Sequence, residues 1–416
     1  MTRKSELSCS PAREKQLAPT GSLISLNRRN FIGRSCRLSM AAVSFCLGLV
    51  ESVEATPQFA RSTGRSCISC HVAPPKLNQW GEAFRARGYR LPNDDKRTPT
   101  VPLAVWLTGR YEDRSPGDLQ EFYLPKVELI SGGPIGDLPL SYFLEWRVVS
   151  LDLRSNGTLR DRGGRFEDAL INWEINDRNA LTAGQFRSLN QYDVSLRLSV
   201  SEPVVFSASL PGAPSPNGRI QGLRGFAPSG RSPGVTYTLR SIEGPLPSDG
   251  LFHFVNVPFV GELSLPLSEE ARREASFELE GPPKGVFLET FYRRKLNSVG
   301  AHAFIGDDRF LLTGVGRFNY KDLYLTAAAG IDDAAGRRAR GRYSFEAEYL
   351  LSQFDAIRPG IGFRVEQITH AARDPAYIPY FILSGPHTDK YSLLLQVEAR
   401  FQDNSTGVFV DLSTFF

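Results

Sequence analysis

Methionine is nearly missing from this chain of 416 residues: there are two, Met1 and Met40. Cysteine is scarce as well, and three of the five, Cys9, Cys36 and Cys46, lie with both methionines in or before one apolar run near the N-terminus. That run, LSMAAVSFCLGLV from Leu38 to Val50, has thirteen residues, whereas a helix crossing a bilayer needs about 20. Basic residues Arg28, Arg29, Arg34 and Arg37 precede it and Val53-Glu54-Ala55 follow, the order of an export signal cut after a small residue. We therefore expect residues 1–55 to be an export signal, with an uncleaved N-terminal anchor as the alternative. Arg28-Arg29-Asn30-Phe31-Ile32 also resembles the twin-arginine export motif, so the route stays open. Cleavage after Ala55 leaves no methionine and two cysteines, Cys67 and Cys70.

An excess of one charge is missing too. The first 55 residues hold eight basic and four acidic side chains, a surplus of four that equals the net +4 of the whole chain. The processed protein is then neutral, and nothing in it favours nucleic acid.

Scarce cysteine also limits what the stretch RSCISCH, Arg65 to His71, can be. A structural zinc site needs four ligands, usually a second Cys-x-x-Cys or a close histidine pair. No other cysteine survives cleavage, and His253, His302, His370 and His387 stand far apart. A thioredoxin-like dithiol needs a strand before the pair and a helix after it, but Gly64 precedes and Pro74-Pro75 follow. The reading that remains is c-type haem attachment: two thiols add across the two vinyl groups of the porphyrin, and the adjacent histidine binds iron from one face. The expected site is Cys67, Cys70 and His71, holding one covalent haem c.

The flanks add to this. Phe59-Ala60-Arg61-x-Thr63-Gly64 leads in, and Pro75-x-Leu77-Asn78-x-x-Gly81-x-x-Phe84-Arg85-x-x-Gly88-Tyr89 leads out. Over about thirty residues the segment resembles the haem segment of the fused outer-membrane cytochrome-porins, the iron-oxidation cytochromes in which one c-type haem domain precedes a β-barrel. Trp80 stands where that pattern has phenylalanine before the glycine, which keeps an aromatic against the haem. The resemblance implies Cys67, Cys70 and His71 as haem-binding residues; it does not supply the sixth iron ligand.

From Val101 to Phe416 the chain shows little helical periodicity and much alternation. Tyr343, Phe345, Ala347 and Tyr349 alternate with Ser344, Glu346 and Glu348, and Leu393, Leu395, Val397 and Ala399 with Leu394, Gln396, Glu398 and Arg400. Period two is the strand signature. A soluble antiparallel sheet also has one wet face, but no covering helix layer is legible. A transmembrane barrel, apolar outside and polar within, crosses with strands of about 9 to 11 residues, and the alternating segments are that long. Counting them gives eighteen candidates, those near Val194 and Arg219 among them; the one near Arg219 is short and glycine-rich, and losing that hairpin gives sixteen. We expect a mainly β protein, a transmembrane antiparallel barrel of about sixteen strands over 101–416, with a monohaem plug over 56–100. Turns near Asp177, Arg294-Asn297 and Asn319-Lys321 belong at the periplasmic end and the connections Leu153-Gly164, Leu263-Lys284 and Asp332-Gly341 outside. Asp307-Asp308 and Asp332-Asp333 read as solvated loop charges.

A haem outside a hydrocarbon layer of about 30 Å cannot relay an electron across it, so the expected place for the haem is inside the lumen, the segment entering from the periplasmic side. The expected function is electron transfer across the bacterial outer membrane, from an extracellular donor, Fe(II) by the resemblance, to a periplasmic carrier. Without methionine, the sixth ligand is a histidine, a lysine such as Lys76, or absent; His302, opposite the apolar Val299, Ala301 and Ala303, is the preferred histidine. The alternatives are a diffusion porin partly closed by its haem segment and a haem enzyme such as a peroxidase.

Overall fold

The computed structural model describes residues 58–90, 103–115, 119–154, 156–187, 190–191, 196–206, 231–243, 248–258, 265–277, 285–306, 309–334, 339–354, 356–369, 374–387, 391–403 and 405–416. The export signal, Pro92, Pro99 and Pro102, the candidate strand near Arg219, Asp307-Asp308 and His370 lie outside them.

Sixteen strands close into one antiparallel barrel. In chain order they are β1 (Ala104–Ser115), β2 (Leu119–Pro134), β3 (Leu140–Val149), β4 (Arg165–Asn176), β5 (Asn179–Arg187), β6 (Arg231–Ile242), β7 (Gly250–Pro258), β8 (Gly285–Arg294), β9 (Asn297–Gly306), β10 (Arg309–Tyr320), β11 (Leu323–Ala334), β12 (Arg340–Leu350), β13 (Arg358–Ile368), β14 (Ala376–His387), β15 (Ser392–Gln402) and β16 (Ser405–Phe415). The ring shuts where β16 pairs with β1, from Thr406 opposite Ser115 to Phe415 opposite Trp106. Closure leaves no strand edge unpaired, the condition for crossing lipid with strands. Both eighteen-strand candidates, near Val194 and Arg219, fall in the connection from β5 to β6, and residues 196–206 of it are not strand.

The period-two pattern becomes two surfaces. On β12, Phe345 and Tyr349 are exposed outward, while Glu346 and Glu348 are buried within. Ile171, Trp173, Tyr237, Val299, Phe318 and Phe363 extend the apolar exterior round the ring, which suits lipid rather than water. The interior charges are paired, because a buried ion without a partner is expensive: Arg364 meets Glu346 at 3.5 Å and Glu366 at 3.2 Å, Arg147 meets Glu128 at 2.7 Å, and Arg110 meets Asp411 at 2.7 Å. Asp332 corrects the expectation of a solvated loop charge: it lies in β11, buried, 2.5 Å from Arg342.

Strand parity puts the turns at 177–178, 295–296 and 321–322 at one end of the barrel, together with the start of β1 and the end of β16. The long connections after β3, β5 and β7 stand at the other end, where helix α3 (Glu269–Phe277) caps; α1 and α2 precede the barrel and are described below. No helix among the described residues is long and apolar enough to cross a membrane. If the exterior of β12 faces lipid, Phe345→Arg should destabilise the folded barrel by about 2–4 kcal/mol, read from urea unfolding in vesicles, whereas the same change at an aqueous surface would be close to neutral.

Candidate functional site

Residues 58–90 lie against the inner wall at the short-turn end. Helix α1 (Gln58–Thr63) is followed by a 3-10 turn at Cys67–Ser69, a two-stranded ribbon of His71–Ala73 with Lys76–Leu77, and helix α2 (Gln79–Ala86). Asn78 organises the junction. Its Oδ1 accepts from the amides of Trp80 at 2.9 Å and Gly81 at 3.1 Å, capping α2. Its Nδ2 donates to the carbonyl of Ser69 at 3.1 Å, tying the helix to the cysteine turn. Gly81 is needed there, since a Cβ would stand 2.2 Å from the Cys70 carbonyl oxygen. Past the helix Gly88 and Tyr89 take positive φ, 62° and 64°, and the turn lays the Tyr89 ring on Phe143 of β3, centroids 4.4 Å apart.

These elements enclose a void of about 1450 Å³, counted to its open mouth. Cys67, Cys70 and His71 all line it, with an apolar wall that includes Phe59, Phe84, Tyr89, Trp106, Phe143 and Phe415. Neither cysteine is bridged. Burial pushes both thiols up, although the Arg65 charge works the other way at Cys70. His71 Nδ1 lies 3.0 Å from the Pro75 carbonyl. That contact assigns the ring proton to Nδ1 and leaves Nε2 as the basic nitrogen. Burial pulls the imidazole down to about 4, so it is neutral near pH 7, the form that binds a metal. Two buried donors on the wall, Gln58 Nε2 and Trp106 Nε1, have no hydrogen-bond partner among the described residues. Two thiols, a bare imidazole nitrogen, an aromatic cavity and spare donors suited to carboxylates fit a haem c.

The other expected residues fall elsewhere. His302 faces the lumen, fully buried, its ring 5.4 Å from that of Phe287; it does not line the void. Lys76 is committed, buried in an ion pair with Glu348 and 4.3 Å above the Tyr324 ring. Trp80, expected against the haem, is 52 % exposed. His387 ends β14, near enough for its charge to oppose that of His71. A register irregularity between Ser384 and His387 breaks the alternation that would have shown it.

Sequence reasoning missed what fastens this segment to the wall. Glu82 of α2 is buried, with Oε2 2.8 Å from Arg293 Nη1 on β8 and Oε1 2.9 Å from Arg317 Nη2 on β10. Residues 190–191 and 196–206 also fold into the lumen and present their amides to wall carboxylates: Asn190 and Gln191 to Glu289 at 2.8 and 2.9 Å, Leu198 to Glu348 at 2.7 Å, Val204 to Glu366 at 2.9 Å. Lumen-facing Glu at period two was the available signal; which segment would meet each one was not.

No protein-family model matches the sequence, and no curated protein matches it. Solved structures match by shape. The anion-selective porin from Comamonas acidovorans superposes with a TM-score of 0.50 at 9 % identity, covering 76 % of this chain and 99 % of that one. The Salmonella typhi OmpF complex with daunomycin gives a TM-score of 0.48 at 14 % identity, with coverage of 78 % and 99 %. The first likeness shows the fold: a porin-like barrel of the outer-membrane kind.

The paired guanidiniums set the acid behaviour of α2. Burial alone would raise the Glu82 carboxyl, but Arg293 and Arg317 outweigh it and hold the group below its ordinary 4.5. A depressed carboxyl contributes stability above the unfolded value and loses it as pH falls through the folded one. Hydrogen exchange of residues 79–86, taken relative to the intrinsic amide rate at each pH, should therefore be flat from neutral pH to about 4.5 and accelerate below. Glu82→Gln should speed it at neutral pH, by as much as the roughly 3–5 kcal/mol cost of breaking a buried pair, and should remove the acid limb.

Proposed function

We propose that this chain is a bacterial outer-membrane barrel that carries one c-type haem in its lumen and passes electrons between an extracellular donor and a periplasmic carrier. The observation that carries the reading is the joint presence of Cys67, Cys70 and His71 on one aromatic void within the barrel. When bound, the haem supplies a one-electron iron couple. Cys67 and Cys70 would hold its edge, His71 Nε2 would ligate the iron, and Gln58 and Trp106 offer donors to its polar groups. The wall of Phe59, Phe84, Tyr89 and Phe143 keeps water from one side of such a site, which lowers the reorganisation that accompanies a change of charge. Contacts of 58–90 gather at the short-turn end: Arg90 donates to the Leu138 carbonyl at 2.8 Å, Arg240 to Ala86 at 2.9 Å and Arg358 to Val72 at 3.1 Å. This supports entry from the periplasmic side. Fe(II) as the donor rests on the resemblance of the haem segment.

The comparisons taken alone favour a second reading, a diffusion porin in which residues 58–90, 190–191 and 196–206 narrow the lumen; the structural neighbour with a TM-score of 0.50 is an anion-selective porin.

Expression with haem maturation separates the two. The first reading expects one haem that stays with the polypeptide on a denaturing gel, lost in Cys67→Ala/Cys70→Ala, and reduction of that haem by dissolved Fe(II) in intact cells. Colourless wild-type protein that admits small solutes into liposomes would refute it and establish the porin.

A further inference from the structure

A second lumen cavity lies on the other side of α2 from the cysteines, between that helix and strands β4 to β8. Its lining includes Glu82, Asp168, Thr236, Arg293 and the rings of Phe252 and Phe291. Arg293 is 3 % exposed, and one of its three nitrogens, Nη1, is used on Glu82. The other two, Nε and Nη2, have no hydrogen-bond partner among the described residues, and neither does Thr236 Oγ1. Thr236 itself is 5 % exposed.

Nε–H and Nη2–H are one edge of the guanidinium, two parallel donors spaced to match the two oxygens of a carboxylate. The same edge is filled elsewhere in this barrel: Arg110 donates through Nε to Asp411 Oδ1 at 2.7 Å and through Nη2 to Oδ2 at 2.8 Å. At Arg293 no such partner stands among the described residues. Burying charged donors without one is strongly unfavourable, and such groups are rare enough in native proteins that each calls for a partner or a functional role. Glu82 is shared between Arg293 and Arg317. Three guanidiniums, Arg85, Arg240 and Arg293, line the cavity with two carboxylates, Glu82 and Asp168, and Arg240 is already paired with Glu174.

Beside the open edge stands an aromatic wall. The rings of Phe252 and Phe291 stack at 5.1 Å, Phe254 joins at 5.7 Å from Phe291, and the Arg293 guanidinium carbon is 4.9 Å from the Phe291 centroid. An ion edge next to an apolar ring surface fits a ligand with both characters. We propose that this cavity binds a small aromatic monocarboxylate, its carboxylate on Arg293 Nε and Nη2 and its ring against Phe252 and Phe291.

The test needs no haem and is run on the full chain in detergent, with and without haem, so that it stands or falls separately from electron transfer. The probes are benzoate, acetate and benzyl alcohol, titrated calorimetrically. Benzoate should bind saturably, and acetate and benzyl alcohol, each lacking one half of the match, about tenfold or more weakly. Arg293→Lys keeps a cation for Glu82 but loses the fork, and should weaken benzoate about tenfold or more, as expected for a hydrogen-bonded charge. Phe252→Leu, which removes one ring of the wall and leaves both ion pairs in place, should weaken it several-fold. Absence of saturable benzoate binding, acetate binding as tightly as benzoate, or variants that bind like the wild type would each overturn the proposal. Should Arg293→Lys fail to fold, the Phe252→Leu titration decides.

Discussion

The ring of sixteen strands is closed by backbone hydrogen bonds, from β1 through to β16 and back, and this closure governs everything else. Lipid offers no partner to an amide, so a crossing sheet must have no edge. Once the edge is gone, the two faces of every strand become the two solvents of the molecule. The outer face can be apolar all round, and the inner face must hold whatever charge the sequence carries.

That inner charge creates a second requirement. Glu289, Glu348, Glu366 and Glu398 project into the lumen, where water is limited and an unpaired carboxylate is costly. The chain answers by folding parts of itself inward. Lys76 and the amide of Leu198 share Glu348, and the amides of Val200 and Ser201 share Glu398 Oε2 at 2.9 and 3.0 Å. Glu82 reverses the arrangement, an acid from the inserted helix held by two arginines of the wall. Lumen and insert are thus complementary in charge, and each would be destabilised without the other.

Within that filled lumen two voids flank helix α2. One is lined by both thiols and the imidazole of Cys-x-x-Cys-His, the other by the open edge of Arg293. Gly81 lets α2 approach the cysteine turn on one side, and Glu82, the next residue, anchors it to the wall on the other.

Much of this was legible in the order of residues alone. Strand number and the direction of each face follow from period-two alternation, because a β-strand turns its side chains to opposite sides whatever surrounds it; Tyr343 to Tyr349 reads the same in the sequence as in the barrel. The cysteine pair, its histidine and the capping Asn78 are also local, since their contacts span about ten residues. Only the tertiary structure decided that His302 stays away from the Cys-x-x-Cys-His void while His387 comes near, that Lys76 is taken by Glu348, and that residues 190–191 and 196–206 enter the lumen instead of pairing as strand. These depend on which points of a closed ring face each other across its interior, a distance set by closure and tilt rather than by separation along the chain.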